Sequence, residues 1–103
     1  MSTLKPASWS YAEDFVPEPE VMEQARERGL AFGTATPVGT GAGAVLRVLA
    51  AAVGAKHVIE VGTGAGTSGL WMLAGMPSDG VLTTIDVSAE HQRSAREAYA
   101  AAG

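Results

Sequence analysis

The chain is 103 residues long, which allows one small domain and excludes two. Its hydrophobic content of 47% argues for a globular chain, and a formal net charge of -4 gives no general attraction for nucleic acid or for an anionic membrane surface. It contains no Cys, so disulfides, thiolate metal sites and cysteine nucleophiles are excluded, a composition that suits a reducing cytoplasm.

The N-terminal stretch MSTLKPASWSYAEDF has a single Lys and then turns acidic, without the apolar core of a signal peptide. No run in the chain reaches the ~18 apolar residues that a membrane helix needs. The expectation is a soluble, unprocessed, cytoplasmic protein. Charge then thins out, because residues 29–85 carry only Arg47, Lys56, Glu60 and Asp79. The middle of the chain is built for burial.

Pro17 and Pro19 interrupt any helix in the first part. After them, EVMEQARERGLAF sets Val21, Met22, Ala25, Leu30 and Phe32 at roughly helical spacing, with Gly29 and Gly33 as C-terminal punctuation. This predicts a short amphipathic helix. In residues 42–53, AGAVLRVLAAAV, a stripe of Val45, Val48, Leu49, Ala52 and Val53 predicts a largely buried helix that stops at Gly54. HVIEV, residues 57–61, is a β-branched run that reads as a strand. GTGAGTSG follows as a loop and LWMLAGM as a helix. Pro77-Ser78-Asp79-Gly80 is a turn by composition, Val81 to Asp86 a second strand, and Ser88 caps a last helix running to Gly103. The fold class is α/β, with the two strands pairing in parallel through the crossover made by residues 67–76.

GTGAG occurs twice, at residues 39–43 and 62–66. A ligand loop in a wound α/β sheet needs a strand before it and a helix after it, so that helix N–H groups point at the ligand. Only the second copy has both; the first reads as a lead-in to the buried helix. Gly64-Ala65-Gly66-Thr67-Ser68-Gly69 matches a dinucleotide G-x-G-x-x-G, with Asp86 as the following acid. However, the glycine directly after the strand is Gly62, and that register puts Thr67 where the third glycine belongs, which disfavours NAD. A triphosphate loop fails because no Lys follows these glycines.

The stronger pattern is Glu60-Val61-Gly62-Thr63-Gly64-Ala65-Gly66, an acid in the strand followed by glycines at every second position. It resembles motif I of the class I S-adenosylmethionine-dependent methyltransferases. Such a site takes a zwitterionic amino acid group, a sulfonium cation and a ribose, so carboxylates and close backbone approach suit it. A charge at Glu60, in a parallel strand, costs several kcal/mol unless paired. Asp86 ends the second strand, where an acceptor-only carboxylate can take both ribose hydroxyls or can cap the helix after it.

Across residues 36–103 the resemblance narrows to the cation-dependent O-methyltransferases of the catechol and caffeoyl-coenzyme A type, notably the small bacterial members. TPVGTGAGAVLRVLAAAVGAKHVIEVGTGAGTS and MPSDGVLTTIDVS carry it. The resemblance implies the N-terminal half of a Rossmann-like doubly wound methyltransferase domain. Residues 1–35 are then an N-terminal helical segment, and 36–103 the cofactor-binding half, ending after the second strand and its helix. It implies S-adenosylmethionine contacts from Val38, Glu60, Gly62, Thr63, Gly64, Ser68 and Asp86, with methyl transfer to a hydroxyl of a small catechol-like or phenolic acceptor. A divalent cation such as Mg is expected for the complete family member, with ligands on strands beyond those present here, and the complete form is expected to be a homodimer. The resemblance gives no catalytic residue in this stretch.

The other candidates read as structural. His57 and His91 form no metal constellation with a Cys or a carboxylate pair, and Trp71, Met72 and Met76 follow the loop at helical spacing as core residues. Trp9 and Tyr11 precede the family's core, where they could touch substrate or a partner subunit. Two other readings stand beside the methyltransferase. One is a dinucleotide-binding oxidoreductase fragment using the register at Gly64; the other is a non-enzymatic truncated paralogue acting as an interaction module.

Overall fold

The computed structural model describes residues 6–34 and 36–103; Lys5, the start of the N-terminal stretch and Ala35 lie outside the described residues. The elements in chain order are α1 (Pro6–Asp14), α2 (Glu20–Phe32), α3 (Thr40–Ala52), β1 (His57–Val61), α4 (Thr67–Gly75), β2 (Val81–Ile85) and α5 (Ala89–Ala102). The helix of residues 6–14 had no place of its own in the sequence pattern. It is weakly amphipathic and buries none of its residues, so periodicity does not mark it.

β1 and β2 pair in parallel, from His57 opposite Val81 to Val61 opposite Ile85. The ladder continues past Val61, where the Gly62 N–H donates to the Ile85 carbonyl at 2.7 Å, so β2 reaches the mouth of the loop. Val58, Glu60, Leu82 and Thr84 face the helices, while Ile59, Val61, Val81 and Ile85 on the opposite face are exposed.

The core gathers Met22 and Ala25 of α2, Ala44 of α3, Leu70 and the fully buried Trp71 of α4, and Ala98 of α5. The helix of residues 1–35 that the sequence pattern shows is therefore packed into the same core as the loop that follows β1. Trp71 is core, as its spacing predicts. The C-terminal punctuation also holds at Gly33, a left-handed residue with φ 68°, whereas Gly29 lies inside α2. A Cβ there would sit 2.7 Å from Pro37, so Gly29 lets the chain at Pro37 come close.

α3 departs from the expected burial. The stripe of Val45, Val48, Leu49 and Val53 is more than half exposed, and the buried face is instead Gly43, Ala44 and Ala50. The cause is close helix contact: a Cβ at Gly43 would collide with the Trp71 indole, and one at Gly75 with the backbone carbonyl of Arg47. Small residues let α3 and α4 approach through their backbones, which turns the larger aliphatic stripe outward. The first GTGAG is correspondingly not a loose lead-in, since Gly39 is the N-cap and Thr40 to Gly43 form the first turn of α3.

Candidate cofactor site

The site is built at the carboxyl end of the two strands. Gly62, Gly64 and Gly66 all have positive φ, at 94°, 56° and 95°, a region that side chains resist. They differ in what faces them. A Cβ on Gly62 or Gly64 would meet nothing within 4 Å, whereas one on Gly66 would press on Ala95 of α5 at 3.3 Å. Gly62 and Gly64 thus leave open space beside the loop, and Gly66 is small for packing. Gly66 is also the N-cap of α4 and supplies no side-chain cap, so the first-turn N–H groups of that helix stand at the cleft.

Asp86 closes the loop from the end of β2. Its Oδ2 accepts the Gly64 N–H at 3.0 Å and its Oδ1 the Ser88 N–H at 2.8 Å. The Gln92 side-chain amide donates to the Asp86 backbone carbonyl at 2.6 Å. The N–H bonds from Ser88 and Gly64 stabilise the ionised form, with a smaller share from His91, and hold the carboxyl below its ordinary value against the opposing effect of burial. The capping work falls to Ser88, whose hydroxyl accepts the His91 N–H at 3.2 Å. Asp86 is thus a loop clamp with one lone-pair direction left for a ligand.

Glu60 lies behind this wall rather than on it. Its carboxylate accepts the Thr84 hydroxyl at 2.8 Å and also the Ser68 hydroxyl. Thr84 has one hydrogen and gives it to Glu60, so the Thr63 hydroxyl, 2.7 Å away, donates to Thr84. Neutral hydroxyls thereby solvate the strand charge. Thr63 is buried with its side chain in this chain of bonds, and both it and Ser68 reach the cleft wall.

The cleft encloses about 280 Å³ between the loop and the segment that joins α2 to α3. Its wall includes Val38, Gly62, Thr63, Gly64, Ser68 and Asp86, so of the residues implied by sequence only Glu60 is set back from it. The same wall carries residues that sequence reading passed over: Phe32, Thr36, Pro37, Thr67 and His91. His91 had been read as structural. A signal for it exists in the spacing, since the third residue of a helix capped by Ser88 faces back toward the cap, and so toward Asp86. Thr67 is buried, and its hydroxyl has no hydrogen-bond partner among the described residues. No Lys or Arg stands among the described residues of the wall.

A strand, a glycine loop with positive φ, a helix N-terminus and an acid at the end of the adjacent strand define an α/β nucleoside-cofactor domain. The comparisons give the family: the model described as O-methyltransferase matches residues 12–103, and the chain belongs to that family. A curated relative from Mycobacteroides abscessus, assigned to the O-methyltransferases, is 55% identical over 93 residues, covering 90% of this chain and 43% of the relative. The Probable O-methyltransferase Rv1220c of Mycobacterium tuberculosis is 52% identical over 100 residues, covering 92% of this chain and 42% of its own length. Among solved structures, the O-methyltransferase TomG from Streptomyces achromogenes, in complex with SAM, superposes with a TM-score of 0.84 at 28% identity. That match covers 94% of this chain and 44% of TomG. An O-methyltransferase from Bacillus cereus in complex with SAH shares the fold, with a TM-score of 0.81 at 24% identity over 95% of this chain and 45% of the other. The chain thus spans less than half the length of the curated relatives it matches.

Proposed function

We propose that this chain carries the S-adenosylmethionine-binding part of an O-methyltransferase, with Val38, Gly62, Thr63, Gly64, Ser68 and Asp86 at the cofactor and Glu60 holding Ser68 and Thr84 from behind. The observation that carries the reading is the charge of the cleft. Asp86 is the one acidic group on its described wall, and no Lys or Arg faces it. A ribose diol and a sulfonium suit a carboxylate in a cleft whose described wall holds no Lys or Arg. The open space beside Gly62 and Gly64 and the unpartnered Thr67 hydroxyl give a polar, unfilled cradle of the kind a nucleoside amino acid needs. TomG, with its bound SAM, supports the same assignment.

When bound, S-adenosylmethionine supplies an activated methyl group for in-line attack by an acceptor hydroxyl. The chain's own residues bind and orient: Asp86 takes ribose hydroxyls, the Gly62–Gly64 backbone allows close approach, and the α4 N-terminus offers free N–H groups to a carboxylate. The acceptor we assign is small and catechol-like or phenolic. For the divalent cation the described residues do not fit, because no three His, Cys, Asp or Glu among them lie close enough to hold a metal.

We take residues 1–35 as an N-terminal helical segment, from which Gly29, Phe32 and Thr34 reach the cleft, and 36–103 as the cofactor-binding half. The complete form is read as a cytoplasmic homodimer, a reading supported by exposed Val45, Val48 and Leu49 on α3 beside Trp9 and Tyr11 on α1. No helix among the described residues is long and apolar enough to cross a membrane. Calorimetric titration of the complete form with S-adenosylhomocysteine and, separately, with NAD tests the assignment. Binding of the first alone is the expected result. Binding of NAD alone establishes the oxidoreductase reading in its place, and binding of neither favours the interaction module.

A further inference from the structure

His91 is held from three sides at the cleft. Its backbone N–H is tied to the Ser88 hydroxyl at 3.2 Å, which fixes the start of the side chain on the first turn of α5. Its ring stacks on Phe32 of α2, with centroids 4.3 Å apart and planes 25° from parallel, which fixes the ring's orientation. Its Nδ1 stands 3.4 Å from Asp86 Oδ2, with the His91 side chain 17% exposed and that of Asp86 10% exposed. A ring nitrogen facing an ionised carboxylate carries the hydrogen, because a lone pair there would be repelled, so Nδ1–H donates to Oδ2. At 3.4 Å the bond is long, and it draws its strength from the charge of the acceptor.

The acceptor directions of Asp86 then divide unequally. A carboxylate offers about four lone-pair directions. On Oδ2 one takes the Gly64 N–H and the other faces His91, whereas on Oδ1 one takes the Ser88 N–H and the other accepts nothing from the described residues. Without His91 the rotation of the carboxylate about its Cβ–Cγ bond is restrained only by one backbone N–H at each oxygen. With His91 the plane of the carboxylate is set by three donors. We propose that His91 is a positioning residue for cofactor binding, which orients the Asp86 carboxylate toward the ribose hydroxyls while the Phe32 ring holds the imidazole in place. This rests on the assignment of Asp86 to the ribose made above.

The test is calorimetric titration of the complete form with S-adenosylhomocysteine, comparing the wild type with His91→Phe, His91→Gln, Asp86→Ala and the Asp86→Ala/His91→Phe double variant. His91→Phe keeps an aromatic ring against Phe32 and removes the donor; it weakens binding about fivefold to tenfold, the scale of one long charge-assisted hydrogen bond. His91→Gln, which restores a donor, recovers part of that loss. In the Asp86→Ala background the His91→Phe change costs nothing further, because a residue that acts through Asp86 has nothing left to orient. Wild-type affinity in His91→Phe overturns the proposal, and so does an equal loss in both backgrounds, which marks a packing role alone. Nitrogen NMR of the wild-type imidazole reads the same point without a variant: the neutral ring carries its proton on Nδ1, and a proton on Nε2 alone overturns the proposal. A wild-type complete form that binds no S-adenosylhomocysteine removes the cofactor assignment itself, and the proposal with it, which is distinguishable from a change confined to His91→Phe.

Discussion

Replacing Asp86 by Ala separates a ligand-binding carboxylate from a mere turn residue. In the folded chain the substitution removes the acceptors of the Gly64 N–H at 3.0 Å and the Ser88 N–H at 2.8 Å. Hydrogen bonds to a charged acceptor are worth about 1.5–3 kcal/mol each when the freed donor stays dry. Here the donors border an open cleft and find water, so the expected cost to stability is nearer 1 kcal/mol in total, on the usual net scale for a hydrogen bond. Binding loses more, because the charge-assisted bond to the ribose vanishes and the loop around Gly64 loses its clamp. A loss of ~1–3 kcal/mol corresponds to S-adenosylhomocysteine affinity weakened by roughly 5- to 150-fold.

Calorimetry on the complete form gives the affinity, and a thermal melt of the same sample gives the stability. Asp86→Asn serves as the control, since it keeps one carbonyl acceptor but no charge, and it falls between the wild type and Asp86→Ala. The pH arm has a fixed sign. The carboxyl of Asp86 is held below the ordinary 3.8 by the Ser88 and Gly64 N–H groups. Its contribution is therefore fully present above that ordinary value and lost as pH falls through the lowered one. Lowering the pH from neutrality to about 4 leaves this contribution in place. Affinity unchanged within about twofold in Asp86→Ala, by the arithmetic that makes tenfold 1.4 kcal/mol, would refute the ribose assignment.

Gly62→Val forces a β-branched residue to the φ of 94° that glycine holds, with its side chain in the open space of the cleft, so cofactor affinity falls at least as far as in Asp86→Ala, by calorimetry. Tyr99 is pushed up to about 12 by burial and then by the charge of Glu60, so its contribution to stability is full below the ordinary 10 and is lost as pH rises through about 12. In an ultraviolet phenolate titration Tyr99 ionises well above the ordinary 10; its ionisation at that ordinary value would contradict the placement of its hydroxyl against α4 and near Glu60. The bare face of Ile59, Val61, Val81 and Ile85, together with the outward stripe of α3, predicts that the chain alone self-associates or lacks fixed packing. A monodisperse monomer with a sharp thermal transition, by light scattering and near-ultraviolet circular dichroism, is the contrary result.

What the sequence determined by itself is the local grammar. HVIEV and VLTTI are strands because β-branched residues favour a pleated surface, and Gly62, Gly64 and Gly66 make the loop because only glycine takes positive φ without strain. Asp86 was legible for a similar reason, since the end of the second strand in a parallel pair lies beside the end of the first. What the tertiary structure decided is which face of each element meets another. In α3 the apolar stripe looked like the buried face, yet Gly43, Ala44 and Ala50 took that place, because backbone approach to Trp71 and Gly75 of α4 depends on the shape of the partner helix. Glu60 was rightly seen as a charge in need of partners. That those partners are Ser68 and Thr84, which set it behind the cleft wall, follows from the register of β1 on β2 and the start of α4. His91 and Phe32 lie far apart along the chain, and their stack exists only because α2 and α5 pack side by side, a long-range contact that no local periodicity encodes.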